Sequence, residues 1–177
     1  MANQFNLAAN RRAERKLLIT CVEWQELVGT TPTQRREIVG KRITDSSIEY
    51  NPDIVTENDI LGNTYTDVNK TQPEQSLDPF TILGGSKLAE LLNDIRKRNA
   101  LAELNQFTVY VITAFVGNSS TGYDAEKHEN CTITYDRIGG EDNVDFPITI
   151  HYSNDLTTGT VDKLTSDFEF TADVSTT

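Results

Sequence analysis

The segment Ile48–Pro79, IEYNPDIVTENDILGNTYTDVNKTQPEQSLDP, is the most informative stretch of this 177-residue chain. From Asn51 to Leu83 the chain shows no sustained hydrophobic period, although a compact domain seldom contains so long a structureless loop. Its many apolar residues argue against simple disorder. At about 3.3 Å per residue such a segment spans on the order of 100 Å when extended. We therefore predict a long extended loop, residues 51–83, that packs on a neighbouring subunit. The alternative is an Ω-like loop folded back on its own domain.

A helix is predicted directly after this loop, over residues 86–99. Ser86 follows two glycines and is suited to cap the helix N-terminus. The last turns carry basic residues, which interact favourably with the helix dipole. One apolar stripe at helical spacing is formed by Leu88, Leu91, Leu92 and Ile95. The stripe predicts an amphipathic helix packed on a sheet.

Strands are predicted on both sides of the loop and helix. Upstream, Arg15–Trp24 is apolar and β-branched, and Glu37–Tyr50 is a second candidate, interrupted by Gly40 and by polar residues 44–47. Downstream, Gln106–Gly117 is apolar on both faces and should be the most buried strand. Three further segments alternate apolar with Thr, Ser and acidic residues, as half-buried strands do: Cys131–Arg137, Phe146–Ser153 and Phe168–Val174.

These elements predict a mainly β, α+β fold. We expect an antiparallel β-sandwich or half-barrel with one packed helix and the long loop. The length fits a single domain over residues 1–177, with an N-terminal arm at 1–14 and the C-terminal strands at 106–174. Neither a signal peptide nor a membrane-spanning run is found, so we expect the chain to remain in the cytosol where it is made. Cys21 and Cys131 stand apart and are predicted to be buried, reduced thiols.

Charge is distributed unevenly along the chain. Residues 1–42 hold eight Lys and Arg against four Asp and Glu, whereas the rest holds eight against 23. The basic arm could meet the acidic body of another copy, or it could be a solvated tail. The acidic body disfavours binding of nucleic acid, since duplex DNA is met by concentrated positive charge.

Signals of catalysis are weak. His128 and His151 are the two histidines and have no recognisable catalytic partner, and His151 falls on a polar strand face. Gly84-Gly85-Ser86-Lys87 lacks the spacing of a phosphate-binding loop. The acidic residues after Pro52 do not follow the spacing of a calcium loop. We therefore expect a protein that is not an enzyme and that uses no cofactor and no metal.

The long segment resembles a known family. The most informative blocks are Tyr50–Asp53, Asp59–Asn63 and Tyr65–Thr71. Together with the order of strands, loop and helix, they resemble the major tail tube proteins of long-tailed, non-contractile (siphovirus-type) phages and prophages of Gram-positive bacteria. The detailed match is confined to residues 48–79, whereas the order of elements agrees over nearly the whole chain.

The resemblance implies a structural virion protein of the phage tail, assembled in the cytoplasm of the bacterial host. Six subunits would form a ring, and stacked rings would form a tube through which double-stranded DNA is ejected without specific binding. The partners implied are other copies of the chain, a tape-measure protein, and tail tip and tail terminator proteins, with no membrane. An acidic, Thr- and Ser-rich lumen would offer phosphates no counter-charge.

Three sets of residues are candidates for assembly. The loop between subunits or rings comprises Tyr50, Asn51, Pro52, Asp53, Asp59, Ile60, Leu61, Gly62, Tyr65, Asp67, Lys70, Pro73, Asp78 and Pro79. The arm contributes Arg11, Arg12, Arg15 and Lys16. Thr132, Thr134, Asp136, Thr149 and Ser153 could line the lumen or face ordinary solvent. Two other functions remain open: a single-ring head–tail joining or terminator protein, and a monomeric β-barrel that binds a small ligand.

Overall fold

The computed structural model describes residues 5–28, 30–43 and 46–173, apart from the side chains of Leu27 and Val28. Short 3₁₀ turns occupy Arg15–Leu17 and Leu101–Asn105. The strands and the helix, in chain order, are β1 (Leu18–Val28), β2 (Thr31–Val39), β3 (Ile48–Glu49), β4 (Asp53–Asn58), β5 (Thr64–Lys70), β6 (Glu74–Leu77), α1 (Lys87–Arg98), β7 (Phe107–Asn118), β8 (Gly122–Tyr135), β9 (Ile148–His151), β10 (Leu156–Val161) and β11 (Phe170–Ala172).

Nine strands form one open antiparallel sheet in the order β2-β1-β7-β8-β9-β6-β3, with β10 and β11 branching from β8. Strand β8 belongs to both halves of this sheet. Its first part pairs with β10 and its last part with β9. Between the two parts, Asn130 has a φ of +57° and the register against β7 slips by one residue. This bulge bends β8 and lets it change partner.

Two apolar clusters lie on opposite faces of the central strands. The larger one contains Val109 and Val111 of β7, Ile133 of β8 and the buried face of the helix. The smaller one contains Tyr110 and Ile112 of β7 together with Phe168. Strand β7 is therefore buried on both faces, as its continuous apolar run predicted. Mainly β structure with antiparallel strands and one packed amphipathic helix is confirmed, and the sheet is open rather than closed into a barrel.

Helix α1 begins and ends close to the predicted residues. Ser86 caps it by accepting a hydrogen bond from the Ala89 N–H at 3.3 Å, and Asn99 ends it in the left-handed conformation with a φ of +54°. Glu37 of β2 adds a second cap, since its carboxylate accepts from the N–H groups of Lys87 and Leu88 at 2.8 and 3.0 Å. A carboxylate at this end also interacts favourably with the helix dipole. The contact fixes the helix to strand β2.

Several strand boundaries differ from the prediction. The strand predicted over Glu37–Tyr50 is wrong in its bounds, because β2 starts earlier, at Thr31, and ends at Val39, before Gly40 with its φ of +128°, and β3 occupies only Ile48–Glu49. The start of β2 is polar because the strand lies at the edge of the sheet. The last strand is shorter than predicted, at three residues, and Val174 lies outside the described residues.

The first part of β8 and the whole of β10 were not predicted. Charged residues in β8 and threonines in β10 obscured the alternation. Gly159 of β10 permits close packing, because a Cβ there would lie 2.3 Å from the Thr171 carbonyl oxygen of β11. A glycine read from sequence alone argues against a strand, although here it marks the approach of a neighbouring backbone.

Candidate assembly surfaces

The predicted long loop contains a β-hairpin that stands apart from the large sheet. Within the described part of the chain, strands β4 and β5 pair only with each other, in a separate two-stranded sheet. Of the hairpin's apolar side chains, Ile54 is 57% exposed and Val68 is 60% exposed. Segment 51–83 is therefore not one extended loop, since it folds into this hairpin and then into strand β6. The sequence shows no hydrophobic period here because both faces of the hairpin are in contact with solvent.

The tip of the hairpin is held by one carboxylate. Asp59 accepts four hydrogen bonds, from the N–H groups of Leu61 and Asn63, the Asn63 amide and the Tyr65 hydroxyl, at distances of 2.8 to 3.1 Å. The bond from the Asn63 amide contributes most, and together they lower the pKa of Asp59 below its ordinary value of 3.8. Gly62 completes the turn with a φ of +84°.

This turn presents two large aliphatic side chains to water. Ile60 is fully exposed and Leu61 is 81% exposed. Because the hydrogen bonds to Asp59 hold the backbone of the turn, both side chains extend from an ordered turn. Adjacent exposed aliphatic residues on an ordered turn are typical of a surface that contacts a partner.

The remaining candidates of the loop lie at the base of the hairpin or beyond it. Tyr50 is 56% exposed, and its carbonyl oxygen accepts from the Gln72 N–H at 3.0 Å, which closes the base beside Asn51. Pro73 accepts a hydrogen bond from the Tyr152 N–H, and Asp78 pairs with Arg137 at 3.3 Å, so both flank strand β6 and contact their own chain. Exposed positions are also held by Pro52, Asp53, Asp67, Lys70 and Pro79.

The described part of the N-terminal arm runs beside the end of β7. Phe5 forms an isolated β-bridge with Val116, and its ring centre lies 5.7 Å from that of Phe115. Arg11 and Arg12 are exposed. The first four residues of the predicted arm lie outside the described residues.

Two of the four basic candidates of the arm have partners within their own chain. The guanidinium of Arg15 donates to the Leu18 carbonyl oxygen at 2.6 Å, and to the carbonyl and hydroxyl oxygens of Ser46 at 2.8 and 2.6 Å. Lys16 pairs with Glu14 at 2.6 Å, with both side chains largely exposed. Arg15 thus has a structural role, whereas an exposed pair such as Lys16–Glu14 contributes little to stability.

Arg15 is the outer end of a buried polar network. Ser46 accepts hydrogen bonds from the Gln75 side-chain nitrogen, and Gln75 is fully buried. The side-chain oxygen of Gln75 accepts from the hydroxyls of Tyr152 at 2.8 Å and Thr20 at 3.2 Å. Every buried side-chain nitrogen or oxygen in the described residues has a partner. Sequence reasoning missed this network, whose members lie far apart in the chain.

A polar face covers the outer side of strands β3, β6, β9 and the end of β8. Thr134 and Thr149 are paired across strands β8 and β9, and Asp136 follows directly after β8, where its N–H donates to the Pro147 carbonyl oxygen at 3.3 Å. Thr132 donates to the Asn105 side chain at 3.1 Å. The apolar neighbours in the alternation, such as Ile133 and Ile150, point into the core, which confirms the predicted half-buried strands.

Three residues that the sequence did not single out share this polar face: Glu49, Glu74 and Ser76, which line one shallow depression with Thr134 and Thr149. His151 lies beside them, with Nε2 3.2 Å from the Thr134 hydroxyl and Nδ1 3.6 Å from a Glu74 carboxylate oxygen. Its half-exposed ring agrees with the expected solvated position. The alternation in β6 spans four residues, too few to be recognised from sequence.

Ser153 does not belong to the same arrangement. It follows the end of β9, and its hydroxyl donates to the carbonyl oxygen of Glu129 and accepts from the Asp155 N–H at 3.2 Å. Its own carbonyl oxygen lies 3.2 Å from Nδ1 of the buried His128. These contacts give Ser153 a role in joining β8 to the turn before β10.

The described residues also bear on the expectations for metal sites, thiols and membrane spans. No group of three or more His, Cys, Asp or Glu side chains there could hold a metal ion. Cys21 and Cys131 are buried free thiols, as predicted. Burial raises the pKa of Cys21 to about 12, which keeps its thiol protonated and unreactive at neutral pH. The helices found within those same ranges are too short or too polar to cross a membrane.

Neither a protein-family model nor a curated protein matches the sequence. Among solved structures, the chain is similar to a chain of the extended sheath–tube complex of the extracellular contractile injection system PVC. The two are 15% identical with a TM-score of 0.47, over 86% of this chain and 95% of that chain.

It is also similar to a chain of the tube-terminating cap of the anti-feeding prophage AFP, at 15% identity and a TM-score of 0.47, over 88% of this chain and 95% of that one. The chain is similar as well to a chain of the extended PVC sheath/tube terminator. The identity is 14% and the TM-score 0.48, over 85% of this chain and 99% of that chain. TM-scores below 0.5 at such identities establish neither a shared family nor a shared function.

Proposed function

We propose that this chain is a structural subunit that assembles with copies of itself into stacked rings and so forms a tail tube. The observation that carries the proposal is the β4–β5 hairpin, which leaves the sheet and holds Ile60 and Leu61 in water on an ordered turn. An isolated two-stranded hairpin is marginal in water. A hairpin of this kind is completed by a surface on another molecule.

Two kinds of contact would build the tube. Strands β2, β3 and β11 end the sheet of the described chain, and an unpaired strand edge is a template for pairing. Pairing of edges around a ring removes this liability. A head-to-tail contact made by the hairpin never closes and instead propagates a filament.

The finer assignment rests on the resemblance of residues 48–79 to tail tube proteins of non-contractile phages and prophages of Gram-positive bacteria. Rings of six, a DNA conduit, and a tape-measure protein and tip and terminator proteins as partners are proposed on that ground. The polar face with Thr132, Thr134, Asp136 and Thr149 is the proposed lumen lining, because hydroxyls and carboxylates give phosphates no counter-charge. The basic arm with Arg11 and Arg12 is proposed to approach the acidic hairpin of a neighbouring ring.

The proposal is tested by the size and shape of the purified protein. Sedimentation velocity and negative-stain electron microscopy should show long, polydisperse hollow filaments that grow with concentration. The double variant Ile60→Ser/Leu61→Ser should abolish them. Leu156→Ser, which removes an aliphatic side chain that is 48% exposed on β10, is the matched control and should assemble normally.

Other results would assign other functions. A monomer at every concentration would reject self-assembly. Discrete rings that never stack would instead indicate a head–tail joining or terminator protein. A ligand-binding barrel is disfavoured by the open sheet, which encloses no barrel interior.

A further inference from the structure

The two faces of the β4–β5 hairpin differ in charge. Antiparallel pairing places Ile54 opposite Val68, Thr56 opposite Thr66 and Asn58 opposite Thr64, all on one side. We call these six residues the uncharged face, since none carries a charge. Val55 opposite Asp67 and Glu57 opposite Tyr65 form the other side, which we call the acidic face.

The uncharged face is ordered within itself. The Thr64 hydroxyl donates to the Asn58 side chain at 2.8 Å, and the hydroxyls of Thr56 and Thr66 lie 3.4 Å apart. Cross-strand pairs between threonines and between β-branched residues stabilise a sheet surface. Polar atoms that already bond to each other can be removed from water at a small cost, whereas an unpaired carboxylate cannot.

Resting on the proposed self-assembly, we infer that the hairpin is inserted with a defined orientation. The uncharged face packs against a second copy of the chain, while the acidic face stays hydrated. Interface centres are depleted of charged residues, which matches the uncharged face and excludes the acidic one.

Charge complementarity identifies a second copy as the occupant. Residues 53–70 contain four acidic residues and one lysine, a net charge of −3. Residues 5–16 contain four basic residues and one glutamate, a net charge of +3. Arg11 and Arg12 precede the 3₁₀ turn Arg15–Leu17, and both are exposed. The opposite charges of arm and hairpin are thus satisfied between copies, through a hydrated contact that salt screens.

The orientation is tested by the reactivity of thiols at adjacent positions on opposite faces. Thr66→Cys places a thiol on the uncharged face and Asp67→Cys places one on the acidic face. Cys21 and Cys131 are buried and serve as an unreactive background. Alkylation is measured before and after assembly. We expect the rate at position 66 to fall at least about 10-fold on assembly and the rate at position 67 to change less than about 2-fold, since thiol reactivity follows exposure.

A second pair of variants changes charge instead of exposure. Thr66→Glu should block assembly at every salt concentration, because it buries a carboxylate. Asp67→Glu keeps the charge of the acidic face and should assemble like the unmodified chain. Circular dichroism of each variant checks that the subunit remains folded.

The outcomes separate this inference from the proposed function. Absence of assembly in the unmodified chain defeats the proposed function itself. Normal assembly with a reactive thiol at position 66, or with the thiol at position 67 protected instead, defeats the orientation and leaves self-assembly standing. Protection at position 66 only after an unrelated tail protein is added would show that the occupant is not a second copy, and would likewise overturn the inference.

Discussion

The guanidinium carbon of Arg36 lies 4.6 Å from the centre of the Phe168 ring, and its Nη1 donates to the Phe168 carbonyl oxygen at 2.6 Å. The same side chain forms an ion pair with Glu23, whose side chain is only 7% exposed. Arg36 therefore joins strand β2 to the segment before β11 through both its charge and its planar face.

Replacement of Arg36 should be costly because it leaves Glu23 buried without its cation. We expect Arg36→Leu to lower the free energy of unfolding by about 2 to 4 kcal/mol. Arg35→Leu is the control, since its pair with Glu26 is exposed and should contribute less than about 1 kcal/mol. Urea denaturation measures both, and equal losses for the two variants would contradict this account.

The buried Gln75 network should respond non-additively. Gln75→Leu leaves the Tyr152 and Thr20 hydroxyls without their acceptor, which should cost about 1 to 3 kcal/mol. Adding Tyr152→Phe removes one of the hydroxyls left without an acceptor. The double variant should therefore lose less free energy of unfolding than the sum of the two single losses. Gln106→Leu, at an exposed position, should be nearly neutral. Strict additivity would show that the network is not coupled.

The contribution of Glu37, the second cap of helix α1, to stability can be measured with single substitutions. Glu37→Ala should destabilise the protein by about 1 kcal/mol or more, because the N–H groups of Lys87 and Leu88 lose their acceptor. Glu37→Gln keeps an acceptor and should cost less. Glu90→Ala removes only an exposed pair with Lys87 and should have a small effect. Thermal unfolding of the three variants tests this order.

The tip of the hairpin should depend on acid. Because the pKa of Asp59 is lowered from 3.8 in the folded chain, its carboxylate stabilises the turn above pH 3.8, and this contribution is lost as the pH falls through the lowered pKa. NMR titration should show the Leu61 and Asn63 amide shifts moving together with the Asp59 carboxyl. Asp59→Asn should remove this transition, and its persistence would assign it to another group.

The basic arm should act through charge alone. Arg11→Ala/Arg12→Ala should weaken filament formation at low salt and have little effect near 1 M salt, where the Debye length is about 3 Å. Arg15 is left intact because it bonds to Ser46. Lys97→Ala/Lys163→Ala removes the same charge elsewhere and should leave assembly unchanged. Unchanged assembly of the arm variant at every salt concentration would reject a role for the arm.

Local patterns predicted the parts of the fold whose burial is regular. Helix α1 was evident because its apolar stripe lies within the 12 consecutive residues of the helix, and its Ser86 cap directly precedes them. Strand β7 was evident because both its faces are apolar and buried. In each case the environment of the side chains repeats with the period of the backbone.

The hairpin and strand β2 could not be predicted by the same means. Solvent contacts both faces of the hairpin, and β2 lies at an edge, so neither imposes a period on its residues. The apolar content of the loop predicts an interaction surface, and this stays a prediction. Its division into an uncharged and an acidic face depends on the pairing of Thr56 with Thr66, which requires the register. The cap from Glu37 likewise depends on a contact between residues 50 positions apart.

Strand β8 runs without a break through both halves of the sheet and exchanges β10 for β9 across Asn130. A force that pulls the halves apart is consequently borne by the covalent backbone of one strand. In a sandwich of two separate sheets, side-chain packing and flexible connecting loops oppose such a load instead. In the proposed tube, a subunit held by neighbours at both ends would therefore transmit tension from one to the other through β8.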